Sequence, residues 1–294
     1  MRVVVLGTAA GGGVPQWNCA CANCCSAREG TTVSRTQDCL AVSGDGTEWY
    51  LVNASPDIRH QLTACPALVP GPGPRQTPLR GVFLTDGELD HTLGLFQLKE
   101  AEGLRVWAPA AVLGSVAARK IVDSYRPWEW EPLDGGVLLG NLRVDVLAVS
   151  DKRPKYAADV VAEGPWVVAY RFTDTATGGA LVYAPCLAQW PEGFDEFCAG
   201  ADYVLLDGSF HEPEEMATTT HGDVPSPAQS AMGHLPVAGP NGSLARIRRM
   251  PGRTRWLYTH VNNTNPVLDP SSAEVATIVE AGAGIATDGT VLRL

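Results

Sequence analysis

Three short apolar runs in this chain each end on side chains able to bind a metal, and this arrangement constrains the fold more than any other feature. Val82-Phe83-Leu84 leads into Thr85-Asp86-Gly87-Glu88-Leu89-Asp90-His91, and Tyr203-Val204-Leu205-Leu206 leads into Asp207-Gly208-Ser209. Trp256-Leu257-Tyr258 leads into Thr259-His260-Val261-Asn262-Asn263-Thr264-Asn265-Pro266. Runs this short, rich in β-branched and aromatic residues, predict buried strands. Loops just beyond such strands, held by a rigid sheet, tend to carry function. Taken singly, an Asp-Gly is an ordinary turn, Asp90 an ordinary helix N-cap and one histidine an ordinary structural side chain. Three such strand ends in one chain favour a shared site. Carboxylates with imidazoles suit a divalent transition metal such as iron, manganese or zinc.

The remaining pattern predicts an α/β chain. Further strands are predicted at 2–6, 104–107, 142–149, 166–172 and 180–183, with another at 49–52, and helices at 91–100, 110–123 and 271–281. Two loop-rich stretches, 66–78 and 217–242, interrupt this pattern without any change in composition around them, so both read as insertions in one domain spanning 1–294. With 45% hydrophobic and 18% charged residues there is material for a sizeable core, and disorder is excluded. A net charge of −10 disfavours nucleic acid and an anionic membrane surface, because both need clustered Lys and Arg. The apolar start, Met1 to Leu6, is too short for a signal-peptide core, and no run reaches the roughly 18 apolar residues of a spanning helix. The expectation is a cytoplasmic protein with reduced thiols.

Reduced thiols give the eight cysteines two readings. Cys39, Cys65, Cys186 and Cys198 are scattered, as small buried hydrophobes are. Cys19, Cys21 and Cys24, with Cys25 beside them, crowd together at a spacing that favours a tetrahedral structural zinc over three unrelated thiols. Such a site would pin the preceding Gly11 to Asn18 loop. Gly11-Gly12-Gly13 lacks the Lys-Ser/Thr of a phosphate-binding loop. His234, in Gly233-His234-Leu235-Pro236, is a candidate proton donor or substrate-holding group, or a structural histidine. Arg35 is a candidate partner for a substrate carboxylate, or simply an exposed arginine. His211 and His221 receive no role.

A strand followed by Thr-His-x-His-x-Asp-His, with later Asp and His at strand ends, is the metallo-β-lactamase pattern. Thr85, Asp90 and His91 fit it, while Asp86 and Glu88 replace its first two histidines. With that departure the chain resembles the pyrroloquinoline quinone biosynthesis protein B family. The likeness extends over Gly11-Gly12-Gly13-Val14-Pro15-Gln16-Trp17-Asn18-Cys19, Asn53-Ala54-Ser55-Pro56-Asp57-Ile58-Arg59, the His234 string, His260 to Pro266, and Asp288-Gly289. The resemblance implies a four-layer αβ/βα sandwich with a cysteine-rich zinc-binding insertion near the N-terminus. It implies one active-site metal held by Asp90, His91, Asp207 and His260, with the other site of the wider fold empty. Asp86 then stands in an abandoned site, and Asp86→Ala is expected to cost little. A fourth zinc ligand is implied shortly after the final histidine, which falls on Asn263, with Cys25 as the competitor.

The activity implied is that of an Fe(II)-dependent oxygenase, with zinc or manganese as other metals the ligands accept. It would use O₂ to hydroxylate the tyrosine-derived ring of a crosslinked Glu-Tyr intermediate, a small peptide-derived aromatic substrate. A metal-dependent hydrolase of a peptide or ester, and a non-catalytic carrier of the quinone or its precursor, are the other readings. A homodimer is compatible with either enzyme. Anaerobic reconstitution with iron is expected to saturate at one equivalent beyond the zinc, measured by elemental analysis. A second tight equivalent would restore the two-metal hydrolase reading.

Overall fold

The computed structural model describes residues 1–219, 229, 231–250 and 252–294. Two seven-stranded sheets pack face to face. The first holds β1 (Arg2–Gly7), β2 (Cys39–Ser43), β3 (Trp49–Val52), β4 (Leu79–Phe83), β5 (Arg105–Ala108) and β6 (Glu129–Pro132). The second holds β7 (Val137–Leu139), β8 (Leu142–Ser150), β9 (Val167–Asp174), β10 (Ala180–Ala184), β11 (Tyr203–Asp207), β12 (Arg255–Thr259) and β13 (Ala283–Ile285). The last strand, β14 (Val291–Arg293), returns to the first sheet beside β1, giving the order β14-β1-β2-β3-β4-β5-β6. In each sheet one half is antiparallel and the other parallel: β3 to β6 run together, as do β10 to β13. The carboxyl ends of β4, β10, β11 and β12 supply the loops of the site.

Strand burial explains the unbroken apolar runs of the sequence. In β1, Val3 and Val5 enter the core between the sheets, while Val4 and Leu6 pack under the helices of the outer layer. In β11, Leu205 faces the inter-sheet core, and Val204 and Leu206 face the other helical layer. Both faces are covered, so strict alternation of apolar and polar residues is lost. Sheets inside, helices outside: this is the αβ/βα sandwich expected. Phe83 sits at the centre, stacked on Trp107 at 4.7 Å and edge-on to Tyr170 and Phe172 at 5.5 and 5.7 Å.

The helices depart from expectation. The stretch 91–100 is not one α-helix: Leu89–Thr92 is α-helical and Leu93–Leu98 is a 3₁₀ helix. The reason is tertiary. The Gly94 amide donates to Ala54 O at 2.8 Å, and a Cβ there would lie 2.3 Å from Ser55 O, so the chain bends to meet the segment after β3. The predicted helix 110–123 is two pieces, Ala110–Ser115 and Ala118–Val122, separated by an extended Val116. The third helix is Ala273–Glu280, started by Ser272, whose hydroxyl accepts from the Val275 amide. β2, β6, β7, β13 and β14 carried no strong punctuation and were not predicted, nor were the short helices Ala22–Glu29, Ile58–Ala64 and Phe194–Cys198. The loop 66–78 includes a 3₁₀ turn, Pro66–Leu68. Of the loop 217–242, residues 220–228 and 230, His221 among them, lie outside the described residues. Among the described residues no helix is long and apolar enough to cross a membrane.

Phe83→Ala removes the ring shared by both sheets and leaves a cavity that rigid neighbours cannot fill. It is expected to lower the unfolding free energy by about 3–5 kcal/mol in a denaturant titration.

Candidate metal centre

The loop after β4 is built by side chains that hold one another. Asn53, the residue after β3, adopts φ +65°, and its side chain accepts from the Thr85 amide at 2.9 Å and donates to Thr85 Oγ1 at 3.0 Å. The Thr85 hydroxyl then donates to Asp86 at 2.8 Å. Both oxygens of Asp86 lie 2.8–2.9 Å from His91 Nδ1. His91 is fully buried, and its other nitrogen, Nε2, has no hydrogen-bond partner. A buried imidazole nitrogen left unpaired is costly unless it binds something. A carboxylate on Nδ1 with Nε2 free is the arrangement found behind metal-bound histidines.

A second relay stands opposite. Ser209 donates through its amide and its hydroxyl to Asp207 Oδ1, at 3.0 and 2.7 Å. With its proton so used, the hydroxyl accepts from His260 Nδ1 at 2.8 Å, which leaves His260 Nε2 facing Asp90 Oδ2 at 3.2 Å. The other Asp207 oxygen accepts from the Leu187 amide at 2.7 Å and lies 2.7 Å from His234 Nδ1. The two relays meet where the His91 and His260 rings stand 5.2 Å apart.

Electrostatics suit a cation. Burial opposes charge on His91, yet Asp86 and then Asp90 raise its pKa to about 10. The same pairing overcomes burial to hold Asp86 down at about 2, and keeps Asp90 below the carboxylate range. Asp38 lies buried beneath, accepting hydrogen bonds from the Tyr183 and Thr259 hydroxyls, and desolvation pushes its carboxyl up.

Of the four residues expected around the metal, His260 lies near each of the other three, but among the described residues no one group of ligand atoms within 4.8 Å holds all four. Asp90 meets His260, and ligand atoms of Asp207, His234 and His260 lie within 4.8 Å of one another. A second such group is His91, Cys186 and His260. His234 therefore belongs at the centre. Cys186 was missed: it was read as one more buried hydrophobe, although it follows β10 by two residues and the strand-end logic that found Asp207 applies to it equally. Burial and the charges of Asp86, Asp207 and Asp90 raise its thiol pKa well above the ordinary value.

The reading of Asp86 needs correction. At its replaced histidine position it is not idle: both carboxylate oxygens lie against His91 Nδ1, so it orients that ring. Glu88 is likewise engaged, with Lys152 Nζ at 2.9 Å. Both residues at the replaced histidine positions thus have protein partners of their own. Arg35 does not face the site: its guanidinium donates to Thr8 Oγ1 and Ala286 O. His211 is buried with Nδ1 unpaired, in the segment after β11.

Ligand atoms of Cys19, Cys21 and Cys24 also lie within 4.8 Å of one another. The side-chain amide of Asn263 caps the three sulfurs, with its Nδ2 position at 3.1, 3.6 and 3.4 Å. Turning this amide about its terminal bond presents Oδ1 to the same point. Cys25 lies outside this group, half-buried, its thiol donating to Ala20 O. Of the two candidates for fourth zinc ligand, Asn263 is the one in place.

A family model described as "Beta-lactamase superfamily domain" matches residues 48–261. Two curated relatives, each called coenzyme PQQ synthesis protein B, come from Methylobacterium nodulans and Azoarcus sp.; they are 38% and 37% identical and match over 100% of this chain and of their own length. A crystal structure of Zn(2+)-bound PqqB from Methylobacterium extorquens is similar over 100% of both chains, with 36% identity and a TM-score of 0.91.

Asp86→Ala is now expected to weaken active-site metal binding by roughly 10–100-fold, measured by chelator competition, with the cysteine-bound zinc unchanged. Cys21→Ser is expected to lose that zinc and to lower the melting temperature clearly, because structural zinc contributes directly to folding. Asn263→Ala should weaken zinc retention where Cys25→Ala does not; the reverse result would make Cys25 the ligand.

Proposed function

Because this chain belongs to the coenzyme PQQ synthesis protein B family of the β-lactamase superfamily, we propose that it is a metal-dependent enzyme of coenzyme PQQ assembly, an iron-dependent hydroxylase that consumes O₂. Its substrate in this reading is the tyrosine-derived ring of a crosslinked Glu-Tyr intermediate. Asp90, His91, Asp207 and His260 hold the metal.

The observation that carries the reading is the unpaired His91 Nε2, 5.2 Å ring to ring from His260, with Asp86 and Glu88 already engaged. Two histidines and two carboxylates form one centre, and the residues that would build a second have other partners. Hydrolysis by two ions, one clamping the attacking and one the leaving oxygen, would need a second ligand set, and Asp86 and Glu88 at the replaced histidine positions are held by His91 and Lys152. Iron in such a nitrogen and oxygen environment supplies O₂ activation when positions remain open.

The chain's own residues then have separate tasks. Asp86 and Ser209 fix the rings of His91 and His260. His234, 12% exposed and within hydrogen-bond reach of Asp207, is placed to hold or pass a proton at the edge of the centre. Lys152, 28% exposed and held by Glu88, sets a cation beside the site for a Glu-derived carboxylate.

Oxygen uptake and product mass test this, with iron-loaded protein and a Glu-Tyr-derived substrate. His260→Ala is expected to lose active-site iron while keeping zinc and fold, and turnover should fall by orders of magnitude. Product formed without O₂ and heavier by water would establish the hydrolase instead. An unchanged substrate that stays bound would establish the carrier.

A further inference from the structure

We propose that Cys186 is a ligand of the active-site metal, so that the centre is a mixed thiolate, imidazole and carboxylate site. The inference rests on the metal-centre reading above but not on the hydroxylase chemistry. Cys186 Sγ and ring nitrogens of His91 and His260 lie within 4.8 Å of one another, and all three residues are buried. His91 Nε2, at 0% exposure, is the unpaired atom of this group. The Cys186 thiol makes no hydrogen bond among the described residues.

The backbone holds the thiol where it is. Leu187, the next residue, donates its amide to Asp207 Oδ2 at 2.7 Å, and Leu187 O accepts from the Leu235 amide at 2.5 Å. The turn that positions Asp207 and leads from His234 therefore also fixes Cys186. A buried cysteine serving only as a hydrophobe packs among apolar side chains. Cys186 packs in the apolar cluster under the outer helices, but unlike such a cysteine it also has Asp86, Asp207, Asp90 and Lys152 as charged neighbours. Two imidazoles beside a thiolate select zinc, cobalt or iron over magnesium and calcium, which prefer oxygen. Coordination releases the thiol proton to solvent.

Cobalt(II) reports sulfur ligation directly, through a sulfur-to-cobalt charge-transfer band in the near ultraviolet, separate from the visible d–d bands of bound cobalt. Full-length protein with zinc already on Cys19, Cys21 and Cys24 receives one equivalent of cobalt(II). Wild type should show both kinds of band. Cys186→Ser should keep visible bands, lose the charge-transfer band and bind cobalt at least about tenfold more weakly. Exchange of cobalt into the zinc site contributes equally to both proteins and cancels in the difference spectrum. Retained zinc content and melting temperature exclude misfolding, and Cys186→Ala provides a second variant should the serine fail to fold. Visible bands with identical near-ultraviolet spectra in wild type and variant would overturn the ligand assignment alone, leaving the hydroxylase reading to oxygen uptake. No visible bands at all would overturn the metal centre and this inference with it.

Discussion

The hydrogen bond between Asp86 and His91 decides what the centre can be. It holds Nδ1 of a fully buried imidazole on a carboxylate and so aims Nε2, without a partner, into the space between the sheet ends. Asp86 is held in turn by Thr85, and Thr85 by Asn53, whose left-handed backbone turns the chain at the end of β3. Opposite, Ser209 and Asp207 perform the same service for His260. Each ring has its Nδ1 committed to the protein, while His91 Nε2 is left without a partner and His260 Nε2 faces Asp90 Oδ2. Buried polar groups this dense are tolerated only when their partners are nearly complete, and within these two relays His91 Nε2 is the atom left without one.

Much of this was legible because metal sites of this kind are placed by strand ends. Asp207 and His260 directly follow buried runs whose length and composition predict strands, and the structure seats both at the carboxyl edge of one sheet. Asp86 was legible as a polar residue but not in its role. From sequence it replaces a ligand; only the fold shows that its carboxylate reaches His91, five positions on. Cys186 was hidden by a different cause. Its neighbours Pro185 and Leu187 give it the look of core, and only the parallel pairing of β10 with β11 brings it beside Asp207. The broken helix after His91 was hidden too, since its bend is dictated by carbonyls of Ala54 and Ser55, some forty residues earlier.

The cysteine insertion and the active centre are parts of one structure. His260 sits at φ +55°, a conformation that costs a non-glycine residue about 1–2 kcal/mol and persists only when its surroundings impose it. They do so from several sides. Val261 donates to Thr8 O and accepts from the Ala10 amide, which ties it to the loop that leads into the cysteines. Asn262 donates to Ser209 O, and Asn265 reaches Gly208 O. Thr264 donates to Glu215 Oε1 at 2.6 Å. Asn263, between them, caps Cys19, Cys21 and Cys24.

A zinc bound by those cysteines would therefore do more than staple an insertion. Only Val261 and Asn262 separate Asn263 from His260, too few for one to move without the other. Asn23, from the helix that begins after Cys21, adds its amide to the carbonyls of Asn263 and Asn265, both at 3.0 Å. The helix, the zinc ligands and the His260 loop thus close a single loop of contacts, with the left-handed histidine as its strained member. Strain of one or two kilocalories, spread over this many bonds, is small against what a bound structural zinc contributes to folding. Through these bonds the insertion helps to hold His260 in its left-handed conformation at the end of β12.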